Sequence, residues 1–207
     1  MTRVKAASLA TRKARASHGP SGASRIASRI RKLASLAEVL AYKNRDVVQR
    51  FLDSYPMDRA DAEEIFKEAK RWLWLIADSS RLGGRRQLIV TRPMAALDEM
   101  WHCFVLFTPD YTQFCSRFFG RFIHHQPVTL TAKARARRRM QKDPEGLART
   151  IARQMEWQYG LIADRLGEET LRKWYVELPA RYPLETLQRL NAQSAAVSQQ
   201  SSKENRS

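Results

Sequence analysis

Cysteine is scarce in this 207-residue chain, with only Cys103 and Cys115, so no disulfide framework holds it together and a reducing compartment is expected. No apolar run approaches the roughly 18 residues that a membrane-spanning helix requires, which excludes an integral helical membrane protein. Eight glycines and eight prolines are too few for a low-complexity or collagen-like chain. A glycine-rich phosphate loop, a GxSxG elbow and an HExxH pair are all missing, so several common enzyme classes lose their usual signatures. Acid is also missing from the first 37 residues, where nine Lys or Arg side chains meet no carboxylate before Glu38.

What is present is a basic, helix-patterned chain of net charge +16, with 43% hydrophobic and 28% charged residues. That balance suits a single well-buried domain with tails. Residues 1–23 are rich in Ala, Ser, Arg and Lys and are broken by Gly19, Pro20 and Gly22, which predicts a disordered basic tail. The same composition describes an organelle-import peptide or an ordinary basic arm. The protein is accordingly expected in the cytoplasm, with import through the basic N-terminus as the alternative.

From Ser24 the spacing turns helical, with Ile26, Ile30, Leu33, Ala37 and Leu40 on one stripe and Arg25, Arg29, Arg31 and Lys32 on other faces. A second helix is predicted over residues 46–53, up to Pro56. A third follows from Asp58 or from an Asp61/Glu64 capping box, with Ile65, Ala69, Trp72, Leu73 and Ile76 on one stripe. After a Gly83-Gly84 loop, residues 87–91 read as a short extended piece.

Pro93 opens the next helix, which carries Met94, Leu97, Trp101, Phe104 and Val105. Thr108-Pro109-Asp110 supplies a cap, a first-turn proline and an early acid for another, with Tyr111, Phe114, Cys115, Phe118 and Phe122 buried until Gly120 ends or kinks it. Asp143-Pro144-Glu145 starts a long helix running to Gly167, and a last one spans residues 168–178, stopped by Pro179. Residues 191–207 are Ser, Gln, Ala and Asn, and predict a disordered polar tail. The expected fold is thus all-α, a single irregular bundle of about six to seven helices over residues 24–190, flanked by the two tails.

Chemistry concentrates in one place. Five of the six cysteine and histidine side chains lie within residues 102–125, in the run LDEMWHCFVLFTPDYTQFCSRFFGRFIHHQP. At 100° per residue Asp98 falls near the centre of the apolar face of its helix, and His102 is one turn on, so carboxylate and imidazole can touch. If the chain turns back at Thr108, His102 and Cys115 lie at similar heights on adjacent helices. His125, ahead of His124, falls on the stripe of Tyr111, Phe114 and Cys115, whereas Cys103 points away.

Three readings stay open: a hydrogen-bonded polar core, a metal site of Asp98, His102, Cys115 and His125 (His124 as substitute) holding zinc or iron, and a Cys115–His nucleophile. Trp101, Tyr111, Phe114 and Phe118 are expected as structural core. A basic block at 133–142, with Arg135, Arg137, Arg138 and Arg139, is the expected contact for an acidic partner, nucleic acid included. The function expected is binding or scaffolding, with a metal-assisted or cysteine-dependent hydrolase and a non-specific nucleic-acid-binding protein as alternatives.

The run Leu97-Asp98-Glu99-Met100-Trp101-His102, with Phe107-Thr108, Tyr111, Phe114-Cys115, Phe119-Gly120 and Phe122-Ile123-His124-His125-Gln126-Pro127, resembles the glycine-rich-domain-containing-protein-like family. That resemblance implies a small helical protein in which Asp98, Trp101 and His102 matter. Plant members read DxxWHxH ahead of a glycine-rich region and are associated with development, stress and RNA. Here Phe104 stands where the second histidine would fall.

Overall fold

The computed structural model describes residues 33–82 and 86–204, all within one compact unit that spans Lys32–Ser207. The architecture is all-α, an irregular helical bundle, and among the described residues there is no strand. The basic segment 1–23, most of the helix predicted from Ser24, and Gly83-Gly84 lie outside the described residues.

Helix α1 (Leu36–Ala41) opens on Ser35, whose Oγ accepts from the Glu38 amide while the Glu38 carboxylate accepts from the Ser35 amide. This capping box satisfies two otherwise orphaned donors. The box expected at Asp61/Glu64 is not one: Asp58 is the N-cap of α3 (Arg59–Ser79), and Asp61 and Glu64 lie inside the helix. There they bind the far end of the chain, Asp61 accepting from Arg181 and Tyr182, and Glu64 from Lys173 and Arg181. Tertiary partners have claimed the carboxylates that local spacing assigned to capping.

α3 is the spine. It packs against α1, against α2 (Arg45–Ser54) and against α4 (Ala95–Leu106), and buries Ile65, Phe66, Ala69, Trp72, Leu73 and Leu75. Its Lys70 is buried too, with Nζ donating to the carbonyls of Leu40 and Tyr42 at the end of α1. Burial, with Lys43 and Lys67 adding like charge, pushes that amine down to about 8. The residues 86–91 form no strand; the Gln158 side chain pairs with both backbone groups of Ile89 and so fixes the segment to α7 (Pro144–Leu166).

α4 and α5 (Thr108–Phe119) make the hairpin, and the turn differs from the expected one. Phe107, at φ −83° and ψ 65°, caps both helices, so Thr108 is already helical and makes no side-chain cap. Proline's bias against helix at the preceding residue is overridden here by the tight reversal one residue earlier. Gly120 ends α5 at φ 69°, a left-handed conformation that glycine adopts without steric cost. Phe122, expected in the core, lies past that end and is 42% exposed; Phe119 and Ile123 are buried instead. Phe114 is the hub of the packing, with the rings of Tyr42, Phe104, Phe118 and Phe119 all within 5.3 Å of its own.

Beyond the hairpin lie α6 (Leu130–Lys142), which packs on α7, and a C-terminal group of α8 (Glu168–Arg172), a π-helical turn (Lys173–Glu177), α9 (Leu178–Arg181) and α10 (Leu184–Glu204). Pro179 does not stop the helix. The backbone stays right-handed through Arg172, Glu177 and Leu178, and a wide turn with Leu178 N–H bonded to the Lys173 carbonyl precedes the proline. The polar segment past residue 190 also continues as helix, to Glu204, in place of the expected disordered tail. It holds no proline or glycine, and it extends a helix anchored by buried Leu187.

Candidate metal centre

The site is assembled on α4 and on the strap of residues 120–125 that follows α5. Tyr111 builds the strap. Its hydroxyl receives a hydrogen bond from Trp101 Nε1 at 3.0 Å and donates to the Ile123 carbonyl at 2.7 Å, so one buried phenol links α4, α5 and the strap. Two residues beyond Ile123, the His125 ring is stacked between Trp101 (centroids 4.0 Å apart) and His102 (4.4 Å, planes 5° apart). His125 therefore faces inward because the strap folds back over α4, and not because α5 continues.

Asp98, His102 and His125 come together, with one ligand atom from each lying within 4.8 Å of the others. The contacts differ from the expected Asp98–His102 pair. Asp98 Oδ1 meets His125 Nε2 at 3.1 Å, while His102 Nδ1 turns to Glu99 Oε2 at 3.3 Å. Glu99 Oε2 also accepts from the Tyr55 hydroxyl at 2.7 Å. Because an ionised carboxylate can only accept, His102 Nδ1 is the donor in this contact, which in the neutral ring leaves the lone pair on Nε2. The Glu99 hydrogen bond raises the His102 pKa above the usual imidazole value, and the same bond holds Glu99 below the usual carboxylate range.

The Asp98–His125 contact is short but not aligned as a hydrogen bond. Both atoms are shielded from solvent and neither has another hydrogen-bond partner. An unsatisfied buried polar atom costs on the order of 1–3 kcal/mol, so two at one spot call for an explanation. A shared cation supplies one. Two ligands each about 2.1 Å from a metal, at tetrahedral or octahedral angles, lie roughly 3.0–3.4 Å apart.

The remaining sequence candidates lie elsewhere. Cys115 is fully buried and is not among the clustered ligands; burial pushes its thiol up, only partly offset by the Ile123 backbone and the Tyr111 hydroxyl. A buried thiol of raised pKa is a poor nucleophile and a poor metal ligand. Cys103 is buried as well, its thiol pushed up to about 11. His124 is exposed beside Phe122. Trp101, Tyr111, Phe114 and Phe118 are all core residues. Sequence reasoning missed Glu99 and Tyr55; the i, i+3 spacing of Glu99 to His102 was a usable signal, whereas Tyr55 stands 44 residues away.

Fold and site together define a compact all-helical protein with a carboxylate and two imidazoles gathered at a helix–strap junction. The chain belongs to the UCP032817-like family, whose model matches residues 35–154 and so includes every residue of the cluster. This corrects the resemblance drawn from residues 97–127: the family is an uncharacterised one, and nothing supports a glycine-rich-domain relationship. Associations with development, stress or RNA therefore do not carry over. No curated protein and no solved structure matches the chain.

Proposed function

We propose that this protein binds one metal ion, zinc or iron(II), through Asp98 Oδ1, His125 Nε2 and His102 Nε2. The observation that carries the reading is the pair of shielded atoms on Asp98 and His125 that stand 3.1 Å apart, within ion-pair distance, while neither makes a hydrogen bond. Two imidazoles and a carboxylate are a ligand set suited to catalytic zinc and to non-haem iron(II). Asp98 and His125 form the fixed part, with side chains 27% and 14% exposed. His102, at 50%, is the adjustable ligand.

Its ring lies parallel to that of His125, and in-plane lone pairs on parallel rings do not converge, so His102 tilts on binding. Glu99 accepting from Nδ1 while Nε2 ligates reproduces the carboxylate–histidine–metal relay that fixes a ligand's tautomer. With three protein ligands and one side toward solvent, water is the expected fourth ligand, the arrangement a metal-assisted hydrolase uses.

Metal analysis of tag-free protein, with titration of zinc into the chelated protein, tests this. The expected result is about one equivalent, lost in Asp98→Asn and His125→Ala and weakened about 10–100-fold in Glu99→Gln. A folded protein that takes up neither metal overturns the reading and leaves the cluster as a polar core. A second reading concerns α6, whose six cations and complete exposure fit an acidic partner.

A further inference from the structure

We infer that the outward face of α6 is a seat for the two phosphate backbones bordering a groove of duplex DNA. The inference rests on the reading of α6 as a surface for an acidic partner and is independent of the metal site.

α6 stands apart from the other long helices in burying none of its residues. Leu130 is 84% exposed and Met140 53%. The helix is nevertheless well made: Thr129 caps it by accepting from the Ala132 amide, and every residue from Leu130 to Lys142 is a good helix former or tolerated in a first turn. A helix with little tertiary burial and six like charges gains little from the fold it belongs to, which makes a counter-charged partner the natural source of its remaining stabilisation.

Its orientation is fixed by Arg139, which donates to Thr150 Oγ1 on α7 at 2.9 Å. Arg139, expected to meet a partner, is thus turned toward the protein. At 100° per residue, the side chains about 160–180° from Arg139 are Leu130, Arg137 and Gln141, with Ala134 beside them. Leu130, Lys133, Ala134, Arg137, Arg138 and Gln141 lie together on that face.

Leu130, Ala134 and Gln141 lie within about 40° of one another with Arg137 beside them; Lys133 flanks this face on one side and Arg138 on the other, while Lys142 and Arg135 lie within about 60° of the inward-turned Arg139. Cations on both flanks of the outward face, Lys133 and Arg138 about 140° apart, match two phosphate strands flanking a groove. The roughly 12 Å width of the B-DNA major groove admits a helix, while the A-form RNA groove is too narrow.

A lipid surface fits less well. An interfacial helix keeps a continuous face of large apolar and aromatic side chains, and α6 has no aromatic residue, with Leu130 and Met140 about 80° apart. Each lysine or arginine seated on a phosphate releases counterions, so binding should depend steeply on salt.

The test uses the full chain, a fluorescent mixed-sequence DNA duplex, and vesicles of phosphatidylcholine with phosphatidylserine. Lys133→Ala/Arg137→Ala/Arg138→Ala is compared with a charge-matched control, Arg45→Ala/Arg50→Ala/Arg189→Ala, which removes exposed cations elsewhere. The helix variant should bind duplex at least about tenfold more weakly near 100 mM salt, with the slope of log K against log salt shallower by about 2–3; the control should change binding less than about threefold. Equal losses in both variants would overturn the site by reducing the effect to net charge. An effect confined to vesicles would overturn the DNA assignment while leaving an acidic partner in place. A helix variant that matches the unmodified chain on both probes would remove both readings. Circular dichroism keeps an unfolded variant from being misread.

Discussion

The α4–α5 hairpin and helix α6 lie next to each other in sequence and handle charge in opposite ways. In the hairpin region every polar side chain brought inward either finds a hydrogen-bond partner, as Tyr55, Glu99, Trp101 and Tyr111 do, or stands at ion-pair distance from an atom that likewise makes no hydrogen bond, as Asp98 does against His125. In α6 the charges stay in water, where their cost is small and their field reaches outward. Low dielectric makes a polar group expensive unless paired, so the hairpin specifies a defined cluster; high dielectric imposes no such demand, so α6 keeps a one-sign surface. Lys70 sharpens the contrast. It is the same kind of cation as Lys133, but burial obliges it to use two backbone carbonyls and lowers its pKa to about 8.

The contrast is most easily broken at its packed end. Phe114→Ala should cost about 3–5 kcal/mol in urea unfolding, because the ring is buried among four others, whereas Met140→Ala on α6 should stay within about 0.5 kcal/mol. Comparable costs at the two sites would mean that α6 is packed more tightly than its exposure implies.

Lys70 predicts a pH dependence. Its folded pKa is depressed by burial, so the folded state pays to hold the proton below about 8, and that penalty lifts as pH rises toward the ordinary 10.5. Stability should therefore climb by up to roughly 2–3 kcal/mol between pH 8 and 10, and Lys70→Met should flatten the rise. A wild-type curve that is flat over this window would place the amine in water.

Tyr111→Phe removes the hydroxyl that joins Trp101 to the Ile123 carbonyl, with an expected cost of about 1–3 kcal/mol and a looser hold on the strap that carries His125. Zinc affinity measured on the same variant should fall more than in Cys115→Ser. An equal or smaller fall would show that the strap keeps its place without the phenol.

Much of the fold could be read locally. The helices over residues 45–54, 59–79, 95–106, 108–119 and 144–166 follow from apolar spacing, Asp143 as a cap and the glycines at 120 and 167 as stops. The errors fall where local rules competed with distant contacts. Asp61 and Glu64 read as a cap and serve Arg181, Tyr182 and Lys173; Pro179 read as a stop and was absorbed by a wide helical turn. Family membership was misjudged from a thirty-residue run because aromatic and histidine spacing in a hairpin is weaker evidence than a match over residues 35–154.

By itself the sequence determined that the chain is helical, that Asp98, His102 and His125 sit on or beside one hairpin, and that a block of cations follows them, since helix periodicity, caps and charge are local properties. Only the tertiary structure decided which groups meet. It gave His125 to Asp98 and His102 to Glu99, sent Cys115 into the core and turned Arg139 toward Thr150. Each of those choices depends on where the strap after Gly120 and the turn at Phe107 direct the chain. A difference of one residue at the Phe107 turn would rotate the α5 side chains by about 100° relative to α4.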